Sequence, residues 1–135
     1  MKLSPTEIFE GKKIFFIGGT GFVGKVTLSM FLSNFPNVGK VYATVRARDA
    51  RESENRFWTS IVTSPTFDPL REKYGDDFEK FIREKVVPVN GDVGNEFLGM
   101  SEDEAREIMA DCDVIINGAG NVTFNPPLES ALRTN

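Results

Sequence analysis

A chain of 135 residues with 40% hydrophobic content can bury one core of its own, and its 16 basic against 20 acidic residues leave a formal charge of -4, the wrong sign for gathering nucleic acid. Histidine is absent and Cys112 is the single cysteine, which excludes Ser-His relays, His-ligated metals, disulfide frameworks and thiolate clusters. A single domain without a metal site, in a reduced, cytoplasmic setting, is the expectation.

The opening "MKLSPTEIFEGKK" has no apolar block of signal-peptide length, and no later run approaches a membrane span. Ser4, Pro5 and Glu7 predict a short helix, with the Ser hydroxyl and Glu carboxylate capping backbone N–H groups. The apolar run from Ile14 to Ile17 predicts a strand buried on both faces, as in a parallel sheet. Phe22, Val23, Val26, Met30, Phe31 and Phe35 then recur at helical spacing until Pro36 and Asn37 stop the pattern. Val38 to Val45 has the β-branched and aromatic content of a second strand.

From Ser53 to Glu84 the text is mostly helical, with stripes at Phe57, Trp58, Ile61, Val62 and at Phe78, Phe81, Ile82, broken by "TSPTFDPL". That is long for one crossover. "VVPV" from Val86 predicts strand three, Ser101 and Glu104 a capped helix to about Ala110, "DVIIN" from Asp113 strand four, and "PPLESALRTN" the start of another helix. This order is that of part of a doubly wound (Rossmann-type) α/β sheet, with strand order 3-2-1-4 and helices on both faces.

Gly18, Gly21 and Gly24 stand at the mouth of strand one, where missing side chains allow a tight turn and let a diphosphate reach the backbone. The helix starting near Phe22 offers it free N–H groups and a positive dipole end. At the end of strand two, where an NAD site has an acid for the ribose hydroxyls, stands Arg46, with Arg48 two residues on. Guanidinium groups suit a 2′-phosphate, so NADP(H) is expected rather than NAD, although Asp49 nearby carries the opposite charge. Asp92, after strand three, either accepts from an adenine amino group with Val93 against the ring, or turns the backbone through its own hydrogen bond. Ala119 and Gly120, after strand four, are small enough for a nicotinamide ribose to lie beside them.

The series "IFEGKK", "GGTGFVGKV", "FPNVGKVYATVRAR", "SPTFDPLRE", "VVPVNGDV", "LGMSEDEA" and "NVTFNPPLESALRTN" resembles the N-terminal part of alcohol-forming fatty acyl-CoA reductases of the male-sterility type, in the extended branch of the short-chain dehydrogenase/reductase superfamily. The resemblance implies NADPH-driven reduction of a fatty acyl-CoA or carrier-bound thioester to aldehyde or alcohol. It also implies that Gly18, Thr20, Gly21, Phe22, Val23 and Gly24 meet the diphosphate, Arg46 and Arg48 the 2′-phosphate, Asp92 and Val93 the adenine, and Ala119 and Gly120 the nicotinamide side. Asn135 matches the Asn of the superfamily's proton-relay set. Asn117 departs from the His common in relatives, and Gly118, Gly120 and Asn121 depart from their usual "CAAT".

The superfamily's acid is a Tyr with a Lys four residues later. Here Tyr42 is followed by Arg46 and Tyr74 by Phe78, so both are expected to pack. The resemblance thus leads us to expect that residues 1–135 form an NADP-binding portion that ends before the Tyr/Lys region and does not turn over alone. The unpaired side of strand four invites self-association. Other readings are a non-catalytic NADP-binding regulator of the same branch, a nucleotide-dependent methyltransferase, for which Arg46 replaces the needed acid, and an interaction module, which would not need the three glycines.

Overall fold

The computed structural model describes residues 3–135, so Met1 and Lys2 of the opening segment lie outside the described residues. Four parallel strands form one sheet in the order β3-β2-β1-β4, the order expected from the sequence. They are β1 (Lys13–Ile17), β2 (Lys40–Val45), β3 (Val86–Asn90) and β4 (Val114–Asn117). Pro88, which has no N–H to donate, stands in β3 at one edge of the sheet.

Strand alternation decides what covers each face. Ile14, Phe16, Val41, Ala43 and Val45 are buried in one cluster with Leu28, Phe31 and Leu32 of α2 (Phe22–Asn34). The long β2–β3 connection joins the same cluster through Phe57, Ile61, Phe67, Leu70 and Ile82, each side chain contributing about 1.5–3 kcal/mol by leaving water. That connection runs as α3 (Ala50–Arg56), a π-helical turn (Phe57–Ile61), a 3₁₀ turn (Pro65–Phe67), α4 (Asp68–Tyr74), a second 3₁₀ turn (Gly75–Asp77) and α5 (Phe78–Lys85). Phe15 is fully buried on the opposite face, beside its β2 partner Tyr42.

The Tyr42 hydroxyl donates to Asp111 at 2.6 Å, at the end of α6 (Glu102–Asp111), which places α6 on the Phe15 face. Lys13 Nζ reaches the other Asp111 oxygen at 2.6 Å. The Tyr42 phenol is pushed up to about 12, first by this hydrogen bond and then by burial, and Lys13 together with Tyr42 holds Asp111 below the usual carboxylate range. Tyr42 is thus a neutral donor pinning a helix at the edge of the sheet where β1 begins. Tyr74 stacks on Phe81 with ring centroids 4.0 Å apart.

Two local expectations need correction. The helix at Ser4 forms as α1 (Pro5–Phe9) without any side-chain cap. Packing holds it instead, with the Phe9 ring 5.1 Å from Phe31 and 4.7 Å from Phe35. In α2 the stripe read as core is partly solvent-facing: Phe22, Val23 and Met30 are exposed, while Gly24 and Ser29 are buried beside Leu28, Phe31 and Leu32. The helix approaches the sheet so closely that small residues mark its inner face. The cap expected at Ser101 does form, its hydroxyl accepting from the Glu104 N–H at 3.2 Å.

At the other edge β4 pairs with β1 alone among the described residues, and its Ile115 is 58% exposed. Beyond β4 the chain runs to α7 (Leu128–Thr134), whose Arg133 donates to the Gly94 carbonyl and to the Asn95 side chain, both at 3.3 Å. The loops after β3 and β4 and the corner after β1 are thereby gathered at the carboxyl ends of the strands, where open α/β sheets place their ligands.

Candidate functional site

The corner after β1 is made of backbone. Gly18 has φ +94, and a Cβ on it would lie 2.6 Å from the Ala119 nitrogen. A Cβ on Gly24 would lie 1.9 Å from the Gly18 carbonyl oxygen, so α2 can start this close to β1 only with glycine there. Gly21 differs. It is the N-cap of α2, in extended conformation, and a Cβ on it would meet no protein atom within 4 Å.

No side chain caps α2, so its first N–H groups are left without a side-chain acceptor next to Gly21, which lines the cleft. An anion at Gly21 meets those N–H groups and the positive end of a thirteen-residue helix. The free approach at Gly21 is the feature that fits a dinucleotide's diphosphate, and it belongs to this chain's backbone alone.

The cleft at this corner measures about 260 Å³. Gly18, Thr20 and Gly21 form one wall, Arg46, Asp92 and Val93 a second, and Gly118, Ala119 and Gly120 a third. The structure thus brings together eight of the residues singled out in the sequence. Phe22, Val23 and Gly24 do not line it: the first two point to solvent from the first turn of α2, and Gly24 packs under the corner. Asn135 stands behind the third wall, where its side-chain oxygen accepts from the Asn121 N–H at 2.7 Å.

Arg46 follows directly on β2, with its side chain 76% exposed and Nε 3.0 Å from Asp92 Oδ2. The other Asp92 oxygen accepts from the Gly94 N–H at 2.9 Å, a local turn of the kind Asp makes with its own backbone. Ahead of it, the Leu98 carbonyl takes the Asp92 N–H at 2.9 Å from a left-handed stretch in which Phe97, Leu98 and Gly99 have φ of 48, 60 and 78. Two consecutive non-glycine residues in this conformation are strained, and the strain is stored in the loop that sets Asp92. Arg48 lies away from the cleft, its Nε 3.0 Å from Glu52. Asp49, whose charge seemed to oppose a phosphate, caps α3 by accepting from the Glu52 N–H at 2.8 Å.

Three contributors were missed in the sequence. Thr44 is 5% exposed, and its hydroxyl accepts from the Gly18 N–H at 3.2 Å, tying the corner to β2. A hydroxyl within the apolar text "VYATV" was its available signal. Asn90 accepts from the Ala47 N–H at 3.1 Å and shapes the chain after Arg46. Arg56 donates Nη1 to the Arg46 carbonyl at 2.6 Å, a contact from the end of α3 back to the end of β2 that no sequence spacing announced.

An open parallel sheet with a glycine corner and a helix N-terminus at its carboxyl edge is the architecture of a nucleotide-binding α/β domain. The chain belongs to the Male sterility protein family of NAD-binding domains, whose profile matches residues 17–135. Over 98% of its length it is 34% identical to Fatty acyl-CoA reductase 2, chloroplastic, of Arabidopsis thaliana, and 35% identical to Fatty acyl-CoA reductase 1 of Mus musculus. It spans only 22% and 25% of those proteins. Among solved structures, the terminal R domain of the myxalamid PKS-NRPS pathway superposes with a TM-score of 0.66 at 25% identity, over 90% of this chain and 28% of that one. The reductase domain of a Mycobacterium tuberculosis nonribosomal peptide synthetase shares the fold with a TM-score of 0.64 at 22% identity, over 87% of this chain and 26% of that one.

The two glycines separate binding from folding. Gly21→Val is expected to abolish dinucleotide binding in calorimetry while lowering stability by less than about 1 kcal/mol, the cost of a poorer N-cap. Gly24→Ala is expected to lower stability in urea titration by about 1–3 kcal/mol, since the added methyl presses on backbone. Loss of stability in the Gly21 variant equal to that in the Gly24 variant would contradict this division.

Proposed function

We propose that this chain is the NADP(H)-binding N-terminal portion of a reductase that converts a fatty acyl thioester, on CoA or on an acyl carrier, to the aldehyde or alcohol. The observation that carries the reading is the Gly21 corner, a backbone cradle for a diphosphate with a guanidinium standing directly behind β2. The cofactor supplies a hydride when bound; the residues described here supply its seat. Gly18, Thr20 and Gly21 take the diphosphate against the start of α2, Arg46 and Arg48 the 2′-phosphate, Asp92 and Val93 the adenine, and Ala119 and Gly120 the nicotinamide ribose.

Asn135 acts as a positioning residue. Its two hydrogen bonds to the Asn121 backbone, at 2.7 and 3.4 Å, fix the loop that carries Ala119 and Gly120. The thioester substrate rests on the likeness to fatty acyl-CoA reductases, and its oxygen needs a proton from an acid. Tyr42 and Tyr74 do not serve, since Tyr42 is bound to Asp111 and Tyr74 is stacked on Phe81.

The cytoplasm is the proposed location, resting on the lone Cys112; among the described residues no helix is long and apolar enough to cross a membrane. The open edge of β4 makes a second copy of the chain a candidate partner, and a monodisperse monomer in light scattering would count against it.

The reading is tested by calorimetry with both cofactors. NADPH is expected to bind at least about tenfold more tightly than NADH, the size of one charge-assisted hydrogen bond, and Arg46→Glu to remove the difference. Equal affinities in the unmodified chain would defeat the 2′-phosphate assignment.

A further inference from the structure

A carboxylate of this chain sits among the guanidinium groups at the end of β2. Glu52, in the first turn of α3, folds its side chain back past the helix start. One of its oxygens accepts both the Arg48 backbone N–H at 2.8 Å and Arg48 Nε at 3.0 Å. Arg56 follows one turn later, held by its bond to the Arg46 carbonyl, and its charge also favours ionised Glu52. Arg46, Arg48, Glu52 and Arg56 line a solvent-open hollow of about 500 Å³, outside the cleft at the glycine corner.

A backbone N–H and a guanidinium converging on one anionic oxygen, with a second guanidinium nearby, is the donor set that a phosphomonoester also takes. We propose that Glu52 is a specificity-determining counter-ion: it holds the anion position that Arg48 and Arg56 build, and a 2′-phosphate binds there by displacing it. The inference rests on the NADP(H) reading and adds to it the group that competes with the ligand. A phosphate carries about -1.5 to -2 at neutral pH and three acceptor oxygens against the single charge of a carboxylate, so the exchange favours the phosphate. A ligand without the 2′-phosphate leaves the Arg48–Glu52 pair in place and gains nothing from it.

Glu52 also helps start α3, its N–H bound to Asp49 Oδ1 at 2.8 Å, so a purely structural role is the reading to be separated. Glu52→Gln does so, because the amide keeps the shape and an acceptor for the Arg48 N–H while removing the charge.

The experiment is calorimetric titration of the chain and its E52Q variant with 2′,5′-ADP and with 5′-ADP, with far-UV circular dichroism confirming the helices. E52Q is expected to bind 2′,5′-ADP about three- to fivefold more tightly, the release of one exposed ion pair, with 5′-ADP unchanged within about twofold. Combining it with Arg48→Ala is expected to remove the gain. Glu52→Ala should shift affinity in the same direction, which keeps the test intact if the Gln variant folds poorly. Unchanged or weaker binding of 2′,5′-ADP by both Glu52 variants overturns the counter-ion role alone. Equal binding of the two nucleotides by the unmodified chain overturns the 2′-phosphate reading as well.

Discussion

The nucleotide end of this molecule depends on backbone packed against backbone. Gly24 lies against the Gly18 carbonyl and Gly18 against the Ala119 nitrogen, so three segments meet with no side chain between them. This contact draws the start of α2 over the end of β1 and leaves the N–H groups next to Gly21, which lines the cleft, without a side-chain acceptor. A methyl at Gly24 would push the helix outward; a methyl at Gly21 would stay within open space and obstruct only a ligand. The same three glycines therefore do two different jobs, one building the corner and the other keeping it accessible.

Charge is handled locally, as a chain with a formal charge of -4 requires of an anion site. Arg46 is matched by Asp92 and Arg48 by Glu52. Each pair is solvent-exposed enough that its own contribution to stability is small, so either arginine can change partner at little cost to the fold. On the proposed NADP(H) reading, selectivity for a phosphorylated ribose would depend on which carboxylates remain near the guanidinium groups as well as on the groups themselves.

The architecture was legible in the sequence because parallel strands such as "KIFFI" and "KVYATV" must be buried on both faces and therefore read as apolar runs. The glycine corner was legible because its spacing followed such a strand. What the sequence hid was direction. The apolar residues of α2 run all round the helix, so Phe22, Val23 and Met30 looked equivalent to Leu28 and Leu32 until the close approach at Gly24 and Ser29 fixed the inner face. The roles of Thr44, Asn90 and Arg56 arise from contacts between segments apart in sequence, and residue type alone does not announce them. Asp92 had two candidate roles in the sequence, and its geometry gives one oxygen to the turn and the other to Arg46.

The measurement closest to the central claim is a residue-resolved NMR titration of the isotope-labelled chain with NADP(H), following each backbone amide. The largest shifts are expected at the amides of Thr20 to Val23, with smaller ones at Arg46 to Arg48 and at Ala119 and Gly120. Saturable binding that leaves Thr20 to Val23 unmoved while other amides shift would contradict it.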